Sequence, residues 1–417
     1  MRFTPIVFTF LAVGASLASP TSFKRSVDFG WGSEKIRGVN IGGWLVLEPW
    51  ITPSIFEAQD QSLGIVDEYT LCERLGYDAA SNILRQHWDS WVGYEDFARI
   101  ASYGFNVVRI PIGYWAYETF GSPYVQGAAD YIDAAVDWAR GAGLKIMIDL
   151  HGAPRSQNGF DNSGQRLDFP GWTQGDTVDQ TLQVIRRIAE KYAREDYQDV
   201  VIGLELLNEP QGGSLDQNII RQFNWDGIGN VRTVSDTTVI FSDAFLHPSS
   251  YNGLYMPDAG VHNVAVDHHY YQVFDPNTVA WEQWQHRQAV CNDIGSYDGS
   301  DKWLFIGEWT GAMTDCAKYL NGYGEGARYD GTFPGSWYVG SCDTISDLNT
   351  WPDWYRDDVR GFIEAQLDAF EAKTQGWVFW NFKTEGSAEW DMYRLVDAGI
   401  FPQPLDDRRF DPVCSNL

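Results

Sequence analysis

The stretch VIGLELLNEP, residues 201–210, is the part of the sequence that decides the fold. Its apolar half is typical of a strand buried on both faces, because such strands are continuous apolar runs rather than alternating ones. The run ends abruptly at Asn208, Glu209 and Pro210. A carboxylate at the end of a buried strand is costly unless it has a task, so the neighbouring runs must show whether that task is catalysis or helix capping.

Seven further apolar runs along the chain share this character. Segments between them, such as residues 131–144 and 181–195, carry apolar residues three and four positions apart, which predicts helices with one buried face. Eight strands alternating with helices favour a (β/α)₈ TIM barrel, an α/β fold that forms a single domain with long loops around its C-terminal face. The runs are IRGVNIGG from Ile36, NVVRIPI from Asn106, KIMIDLHG from Lys145, TVIFSDAF from Thr238, NVAVDHHYY from Asn263, WLFIGEW from Trp303 and GWVFWNF from Gly376.

Length and composition favour one large domain. The 417 residues exceed the common single-domain size, yet α/β barrels with long loops reach it. A doubly wound open sheet is the competing fold, but no Gly-x-Gly-x-x-Gly follows an early strand. Aromatic residues make up 15% of the chain, including 19 Trp, which exceeds what a core requires and suits a protein that binds sugars, although core packing is the commoner role of any single Trp.

The first 25 residues are expected to be absent from the mature protein. Residues 1–19 combine an early Arg, an apolar stretch and small residues near the end, which is typical of a secretory signal and too short for a membrane anchor. Residues 20–25 are expected to be a propeptide that ends in the dibasic pair Lys24-Arg25. The mature domain would then be residues 26–417, whose polar C-terminus shows no signal for a lipid anchor.

Charge and cysteine content limit the partners and the compartment. The formal net charge of −27 repels nucleic acid and anionic membranes, so we expect neither as a partner. Five cysteines in a secreted chain leave at least one unpaired. We expect the disulfides Cys291–Cys414 and Cys316–Cys342, with Cys72 buried and reduced. No Cys-x-x-Cys spacing predicts a zinc site or a thioredoxin-like site.

Polar side chains close several of the predicted strands at the same end. The carboxyl ends of parallel strands meet on one rim of a barrel, where active sites lie, so we expect these side chains to surround one site. Any one of them alone would be a weak sign. They are Arg109 on the second strand, Asp149 and His151 on the third, Asn208 and Glu209 on the fourth, His268, His269 and Tyr271 on the sixth, Glu308 on the seventh and Trp380 on the eighth.

Each acidic residue at this rim also has a structural explanation. Glu209 could cap the following helix, where a carboxylate gains about 0.3–1 kcal/mol. Glu308 could form a buried ion pair with Arg109. A metal cluster is a third alternative, but the spacings of hydrolytic zinc sites are absent and the two glutamates would be unexplained, so no metal is expected. The ligands in that metal cluster would be His151, His268, His269 and Asp149.

Two glutamates on the fourth and seventh strands make chemical sense as the pair of a glycosidase. Their strand ends lie across the barrel mouth, so Glu209 and Glu308 can face each other over a sugar. In retaining hydrolysis two carboxyl groups lie about 5–5.5 Å apart; one attacks the anomeric carbon and the other protonates the leaving oxygen. Asn208 could bond the sugar 2-hydroxyl, while Arg109 and Tyr271 could hold the nucleophile. Spacing alone does not decide which glutamate has which role.

The rim residues lie in motifs that resemble glycoside hydrolase family 5: LNEP, GEW, DLHG, RIPIGYW, HHYYQVF and WNFKTE. The longer stretches around them are similar to the fungal exo-β-1,3-glucanases of that family, from about Arg37 to Cys414. The resemblance implies a secreted, retaining enzyme, located outside the cell or in the cell wall. It would release glucose from the non-reducing ends of β-1,3-glucan, with transglycosylation, and residues 26–417 would be its catalytic domain.

The resemblance also implies roles for individual residues. The glutamate of the LNEP motif, Glu209, would be the acid/base, and that of the GEW motif, Glu308, would be the nucleophile. No metal or cofactor is expected, and the enzyme would act as a monomer. A closed pocket would bind one terminal glucose through Glu48, Asp161 and Asn162 and clamp the next between Phe160 and Phe274, while Arg109, His151, Asn208, His269, Tyr271 and Trp380 would complete the shell around the sugar.

Two positions depart from the family pattern. Arg155 follows HGAP where a small residue is expected, and Trp50 follows LEP where Tyr is common; both are expected near the pocket. β-1,6-Glucanases and broad β-glucosidases use the same catalytic pair, so linkage choice depends on the loops. A non-catalytic wall-binding barrel is a further alternative, which replacement of either glutamate would favour, and neither is replaced.

Overall fold

The computed structural model describes residues 27–412 and Cys414; the expected signal peptide, propeptide and mature N-terminus at Ser26 lie outside the described residues. Eight parallel strands follow one another around a closed barrel, in which the last strand pairs with the first. The predicted (β/α)₈ barrel is therefore confirmed, and each of the eight predicted runs contains a strand. The strands are β1 Ile36–Asn40, β2 Val107–Gly113, β3 Lys145–Gly152, β4 Val201–Glu205, β5 Thr238–Ser242, β6 Val264–Tyr270, β7 Trp303–Trp309 and β8 Gly376–Phe379.

Helices connect most of the strands on the outside of the barrel. The two segments with clear helical periodicity form α5 and α6, whereas residues 243–263, between β5 and β6, contain only short 3₁₀ turns. None of the helices in the described part of the chain combines the length and apolar content needed to cross a membrane. The helices are α1 Pro53–Glu57, α2 Glu68–Leu75, α3 Tyr77–Trp91, α4 Tyr94–Ser102, α5 Ala129–Ala142, α6 Thr177–Tyr192, α7 Gln217–Arg232, α8 Gln283–Ile294, α9 Asp353–Lys373 and α10 Met392–Asp397.

An apolar layer fills the amino-terminal end of the barrel interior, and every strand contributes to it. Two residues further along β2 and β3, the same face carries charged groups: Arg109 follows Val107, and Asp149 follows Met147. Because side chains alternate along a strand, a buried polar layer lies directly above the apolar one. The apolar layer consists of Phe29, Ile36, Val107, Met147, Ile202, Ile240, Ala265, Phe305 and Val378.

A β-bulge in β7 turns Glu308 into the barrel. The register between β6 and β7 shifts by one residue before Glu308, which pairs with His269, so Gly307 is the extra residue. A bulge moves the side chains beyond it to the other face of the strand. Glu308 therefore meets His269 inside the barrel, while Trp309 packs outside against α9 through an edge contact with Phe370.

The structure contains both expected disulfides. Cys291–Cys414 joins α8 to the C-terminal segment, and Cys316–Cys342 closes a segment after β7 that we name the disulfide loop, residues 316–342. Cys72, the fifth cysteine, is buried and unpaired as expected.

Removing the Cys316–Cys342 bond is expected to lower the free energy of unfolding by about 3 kcal/mol. The two cysteines are 26 positions apart, and a cross-link over a loop of this length removes roughly 3–4 kcal/mol of chain entropy from the unfolded state. Calorimetry of the Cys316→Ser/Cys342→Ser variant should show a melting temperature lower by a few degrees. Cys72→Ser, which breaks no cross-link, is the control, and an equal shift in both proteins would contradict the prediction.

Candidate active site

A cavity of about 600 Å³ opens where the carboxyl ends of the barrel strands meet. Its wall combines aromatic rings with four carboxyl groups, those of Glu48, Asp161, Glu209 and Glu308. A cavity of this size, in which a few polar groups converge among apolar walls, is the usual form of a small-molecule site. The other expected site residues in the wall are Phe160, Asn162, His269, Tyr271, Phe274 and Trp380.

Glu209 and Glu308 approach each other at the base of this cavity. One carboxylate oxygen of each lies within 4.8 Å of the other, and both lie within that distance of a ring nitrogen of His269. His269 Nδ1 is 2.7 Å from Glu209 Oε1 and 3.4 Å from Glu308 Oε2. This spacing suits a retaining glycosidase; an inverting enzyme needs about 6.5–9.5 Å to admit a water molecule between its carboxyl groups.

Glu209 reaches the cavity from a segment beyond its strand. β4 ends at Glu205, whereas the sequence predicted that the fourth strand would itself carry Glu209. The backbone of Glu209 has a φ of 45°, a left-handed conformation that side-chain-bearing residues seldom adopt and that occurs at functional sites where the surroundings hold it. The capping alternative is wrong, because α7 is capped by Asp216, whose side chain accepts from the backbone of Asn218.

Arg109 is the buried cation beneath the two glutamates. Its guanidinium nitrogens lie 3.1 Å from Glu308, 2.8 Å from Glu205, 3.1 Å from Asp149 and 3.6 Å from Asp267. The ion pair with Glu308 that was considered as a structural bridge therefore exists, but it belongs to a network that ends in the cavity. A buried charge must be paired, and four carboxylates around one guanidinium fix its orientation.

Three expected site residues lie behind the cavity wall rather than in it. Arg109, His151 and Asn208 are fully buried, and the cavity lining does not include them. Arg109 donates to Asn208 Oδ1 at 2.8 Å, and His151 Nδ1 lies 2.6 Å from Asp149. In this structure they hold the groups of the wall in place.

His268 does not join the site. Its ring nitrogens bond Asp243 on one side and the hydroxyl of Tyr297 on the other, because successive side chains of a strand point to opposite faces. The metal cluster considered from the sequence included His268, and among the described residues the four side chains named for it do not form a group with metal-ligand spacing. Among the described residues, the one group of histidine and carboxylate side chains with metal-ligand spacing is Glu209, His269 and Glu308.

Burial and charge shift the pKa values of the three central groups. Burial raises the pKa of Glu308 to about 8, although the His269 and Arg109 cations oppose the rise. Burial would lower the pKa of His269, but Glu308 and Asp267 raise it well above its ordinary value. Burial would also raise the pKa of Glu209, but the hydrogen bond from His269 brings it below its ordinary value. These pKa shifts favour the protonated forms of Glu308 and His269 and the ionised form of Glu209 at neutral pH.

Aromatic side chains frame the mouth of the cavity. Phe160 and Phe274 are each 46% exposed, so their rings are accessible to a ligand. Trp50 lies in the wall, and its Nε1 donates to Glu48 Oε2 at 2.9 Å. Arg155, which was also expected near the pocket, is not a wall residue; its side chain lies against Gly171 instead.

Sequence reasoning did not identify about half of the cavity wall. These residues come from loops and short turns, which carry no periodic pattern, and the aromatic excess of the chain could point only to the three aromatic ones, Phe245, Phe333 and Trp390. Five of them belong to the disulfide loop. The additional wall residues are Gly159, Arg166, Gln211, Phe245, Leu320, Asn321, Gly322, Arg328, Phe333 and Trp390.

A parallel eight-stranded barrel with two facing glutamates at its carboxyl end has the architecture of a glycoside hydrolase. The cellulase family, also described as glycosyl hydrolase family 5, matches residues 79–341. A glucan 1,3-beta-glucosidase of Blumeria graminis is 50% identical and covers 94% of this chain and 92% of its own length; one of Schwanniomyces occidentalis is 48% identical, with 94% and 93% covered. This chain belongs to glycosyl hydrolase family 5, so the family and enzyme class predicted from the sequence are confirmed.

Solved structures agree with the fold. The rutinosidase from Aspergillus niger superimposes with a TM-score of 0.69 at 20% identity, covering 89% of this chain and 99% of that chain. The endoglucanase Cel5A from Thermotoga maritima gives a TM-score of 0.52 at 17% identity, with 87% and 96% covered. At such low identity these likenesses concern the barrel and not the substrate.

Proposed function

We propose that this chain is a secreted exo-β-1,3-glucosidase that releases glucose from the non-reducing ends of β-1,3-glucan with retention of configuration. The observation that carries the proposal is the approach of Glu209 and Glu308 to within 4.8 Å of each other in the wall of one cavity, which suits a covalent, retaining mechanism. The names of the two relatives that are 48–50% identical over nearly the whole chain support glucan as the substrate and 1,3 as the linkage.

In the first proposed step, Glu308 attacks the anomeric carbon of the terminal glucose. The bond to the leaving oxygen breaks, and Glu209 gives that oxygen a proton. The contacts of Glu308 support its role as nucleophile, because Tyr271 donates to Oε2 at 2.8 Å and Arg109 to Oε1 at 3.1 Å. Two donors on one carboxylate orient it and favour its ionised form.

The proposed step requires an ionised Glu308 and a protonated Glu209, which is the reverse of what the pKa directions favour before a sugar binds. Two features allow the change when a sugar is bound. The positive charge that develops on the sugar in the transition state favours the ionised form of Glu308. The proton on His269 Nδ1 is only a 2.7 Å hydrogen bond away from Glu209 Oε1, so it can move to Glu209 without rearrangement of the chain. The nitrogen that it leaves can take the proton of Glu308, whose Oε2 lies 3.4 Å away, so the total number of protons is unchanged.

In the second proposed step, Glu209 takes a proton from a water molecule, whose oxygen attacks the anomeric carbon and releases Glu308. The glucose is then free, and both carboxyl groups return to their starting states. A hydroxyl group of another sugar in place of the water would form a new glycosidic bond, which is the proposed transglycosylation.

The proposed binding site for the terminal glucose is the inner part of the cavity. Glu48 Oε1 and Asp161 Oδ2 are buried oxygens without a hydrogen-bond partner in the described structure, so hydroxyl groups of a sugar could donate to them. Asn162 donates to Glu209 Oε2 at 3.1 Å and lies between these groups and the reacting bond. Phe160 and Phe274, with exposed faces at the mouth, would hold the next glucose through its C–H surfaces.

Secretion, processing after Lys24-Arg25, a monomeric state and a role in cell-wall glucan metabolism are further parts of the proposal. Two disulfides support an oxidising compartment. N-terminal sequencing and light scattering of the secreted protein would test the first three, and a mature start well upstream of Ser26 would contradict the processing site.

Product analysis on laminarin tests the proposed activity. We expect glucose as the only early product, and NMR should show it first as the β-anomer, because two displacements restore the original configuration. The Glu308→Gln protein, prepared in the same way, controls for contaminating enzymes. Mixed oligosaccharides would indicate an endo enzyme. Release from β-1,6- or β-1,4-glucan but not from laminarin would indicate the same catalytic pair with a different linkage specificity.

A further inference from the structure

Asp267 on β6 is a fully buried carboxylate beneath the cavity, and the mechanism above does not use it. Its Oδ2 lies 3.3 Å from His269 Nε2, and the other nitrogen of that ring, Nδ1, lies 2.7 Å from Glu209 Oε1. A continuous line of hydrogen bonds therefore runs from Asp267 through His269 to Glu209.

The second oxygen of Asp267 is held against β7. The backbone N–H of Gly307 donates to Oδ1 at 2.8 Å. A Cβ atom on Gly307 would lie 2.0 Å from the same oxygen, so only glycine fits at this position of the bulge. The orientation of the Asp267 carboxyl group is thus fixed, with Oδ1 toward Gly307 and Oδ2 toward His269.

The surroundings of the line keep Asp267 ionised. Burial would raise the pKa of Asp267, but the cations of His269 and Arg109 hold it below its ordinary value. Charged and ionisable groups face the line from five strands and two connecting segments: Arg109 on β2, Asp149 and His151 on β3, Glu205 on β4, Asp267 on β6, Glu308 on β7, and Glu48 and Tyr271 after β1 and β6.

An ionised carboxylate accepts hydrogen bonds but cannot donate them. His269 Nε2 must therefore carry the hydrogen that faces Asp267. After the His269 cation passes its Nδ1 proton to Glu209, the neutral ring keeps the hydrogen on Nε2, and Nδ1 accepts the hydrogen bond of the Glu209 carboxyl group across 2.7 Å. A buried Asp fixes the tautomer of its histidine in Ser-His-Asp triads in the same way.

We propose that Asp267 is a positioning residue that holds His269 in the Nε2–H tautomer and thereby keeps a transferable proton on the Glu209–His269 pair. The inference rests on the proposed role of Glu209 as the acid/base. Asp267, in the buried polar layer of the barrel, would thus contribute to proton transfer without contacting the sugar or the reacting bond.

The Asp267→Asn variant tests this assignment. The Gly307 N–H requires an oxygen, so the amide nitrogen of Asn must face His269 Nε2, which forces the hydrogen of the neutral ring onto Nδ1. Glu209 then receives a hydrogen bond and loses its own proton at lower pH. We expect the alkaline limb of the kcat/KM profile to move down by at least about one pH unit, and kcat/KM for aryl β-glucosides with poor leaving groups to fall by roughly 10–100-fold.

A good leaving group separates this effect from general damage to the site. Dinitrophenyl β-glucoside needs no proton on its leaving oxygen, so its kcat/KM should stay within about three-fold of the wild-type value. Asp243→Asn is the matched control, since Asp243 bonds the neighbouring His268 in the same way but not Glu209. We expect Asp243→Asn to leave the alkaline limb in place.

An unchanged alkaline limb in Asp267→Asn would overturn the assignment. If the wild-type enzyme itself lacked β-glucosidase activity, the proposed function would fail instead, so the two failures are distinguishable.

A second measurement requires no variant at Asp267. In ¹⁵N NMR of the histidine-labelled wild-type protein, with His269 assigned by its substitution, Nε2 should stay protonated on the alkaline side of the optimum. A bare Nε2 with a protonated Nδ1 would also overturn the inference.

Discussion

The Glu308→Gln variant is expected to lose at least about 10⁵-fold in kcat, the largest single effect in this protein. Loss of a nucleophile removes the covalent route, and in other hydrolases such a loss costs about 10⁶-fold. Arg109 donates to Glu308 Oε1 at 3.1 Å and Tyr271 to Oε2 at 2.8 Å. A glutamine has only one oxygen, so it accepts from one of these two donors, and it cannot attack the sugar. Steady-state kinetics on laminarin and on aryl β-glucosides measure the loss.

The Glu209→Gln variant, which carries the same substitution at the facing carboxyl group, is the matched control for Glu308→Gln. With a 2-deoxy-2-fluoro glucoside that has a dinitrophenyl leaving group, Glu209→Gln should still form a stable glycosyl-enzyme, because no proton is needed for the first step. Glu308→Gln should form none. Mass spectrometry of the intact proteins reads out both results, and an adduct on Glu308→Gln would exclude the proposed assignment of roles. In turnover, Glu209→Gln should be slowest for poor leaving groups.

Arg109→Gln is expected to lower the free energy of unfolding by about 3–5 kcal/mol, the cost of leaving buried carboxylates without their cation. Arg109 lies within 3.6 Å of four such groups and is fully buried. Without it, the pKa values of Asp149 and Glu205, which are already above their ordinary values, rise further, and Asp267 loses one of the two cations that hold its pKa below its ordinary value. A group whose pKa is raised on folding stabilises the protein at low pH and loses that contribution as the pH increases.

The destabilisation by Arg109→Gln should therefore be greater at pH 8 than at pH 5, as measured by urea unfolding at both values. Arg360→Gln is the control, because Arg360 is equally buried and pairs with Glu364 and Asp407, far from the cavity. It should also lower stability, but the folded protein should keep its specific activity. A stability loss in Arg109→Gln that is independent of pH would show that the carboxylates do not depend on this cation.

The barrel was predictable because its strands are buried on both faces. In such strands the run is mostly apolar, as at residues 146–148 of KIMIDLHG, and the polar side chains toward its carboxyl end mark the rim of the candidate site. The helices α5 and α6 followed from apolar positions three and four apart. These are local patterns with a direct physical cause, and all eight strand runs were found from them.

The sequence did not predict the backbone geometry that brings the expected site residues together, because that geometry has no local pattern. The bulge at Gly307 places Glu308 beside His269, although strict alternation would point it outward. The positive φ of Glu209 likewise cannot be read from its neighbours. His268 and His269 are adjacent residues of the same type, so residue type does not show which of them belongs to the site. They point to opposite faces of the strand, and His269 meets Glu209 whereas His268 meets Tyr297.

The disulfide loop has a consequence for how this barrel can acquire new specificities. Its ends are 5.1 Å apart between the Cα atoms of Cys316 and Cys342, and the loop begins directly after the anchor Asp315, which accepts from the backbone of Arg328. One wall of the cavity is thus formed by a loop that is closed by its own disulfide bond and can be replaced as a unit. Exchanging the disulfide loop between relatives would alter which glucan binds, while Glu209, Glu308 and the barrel strands remain unchanged. The exchangeable wall residues are Leu320, Asn321, Gly322, Arg328 and Phe333.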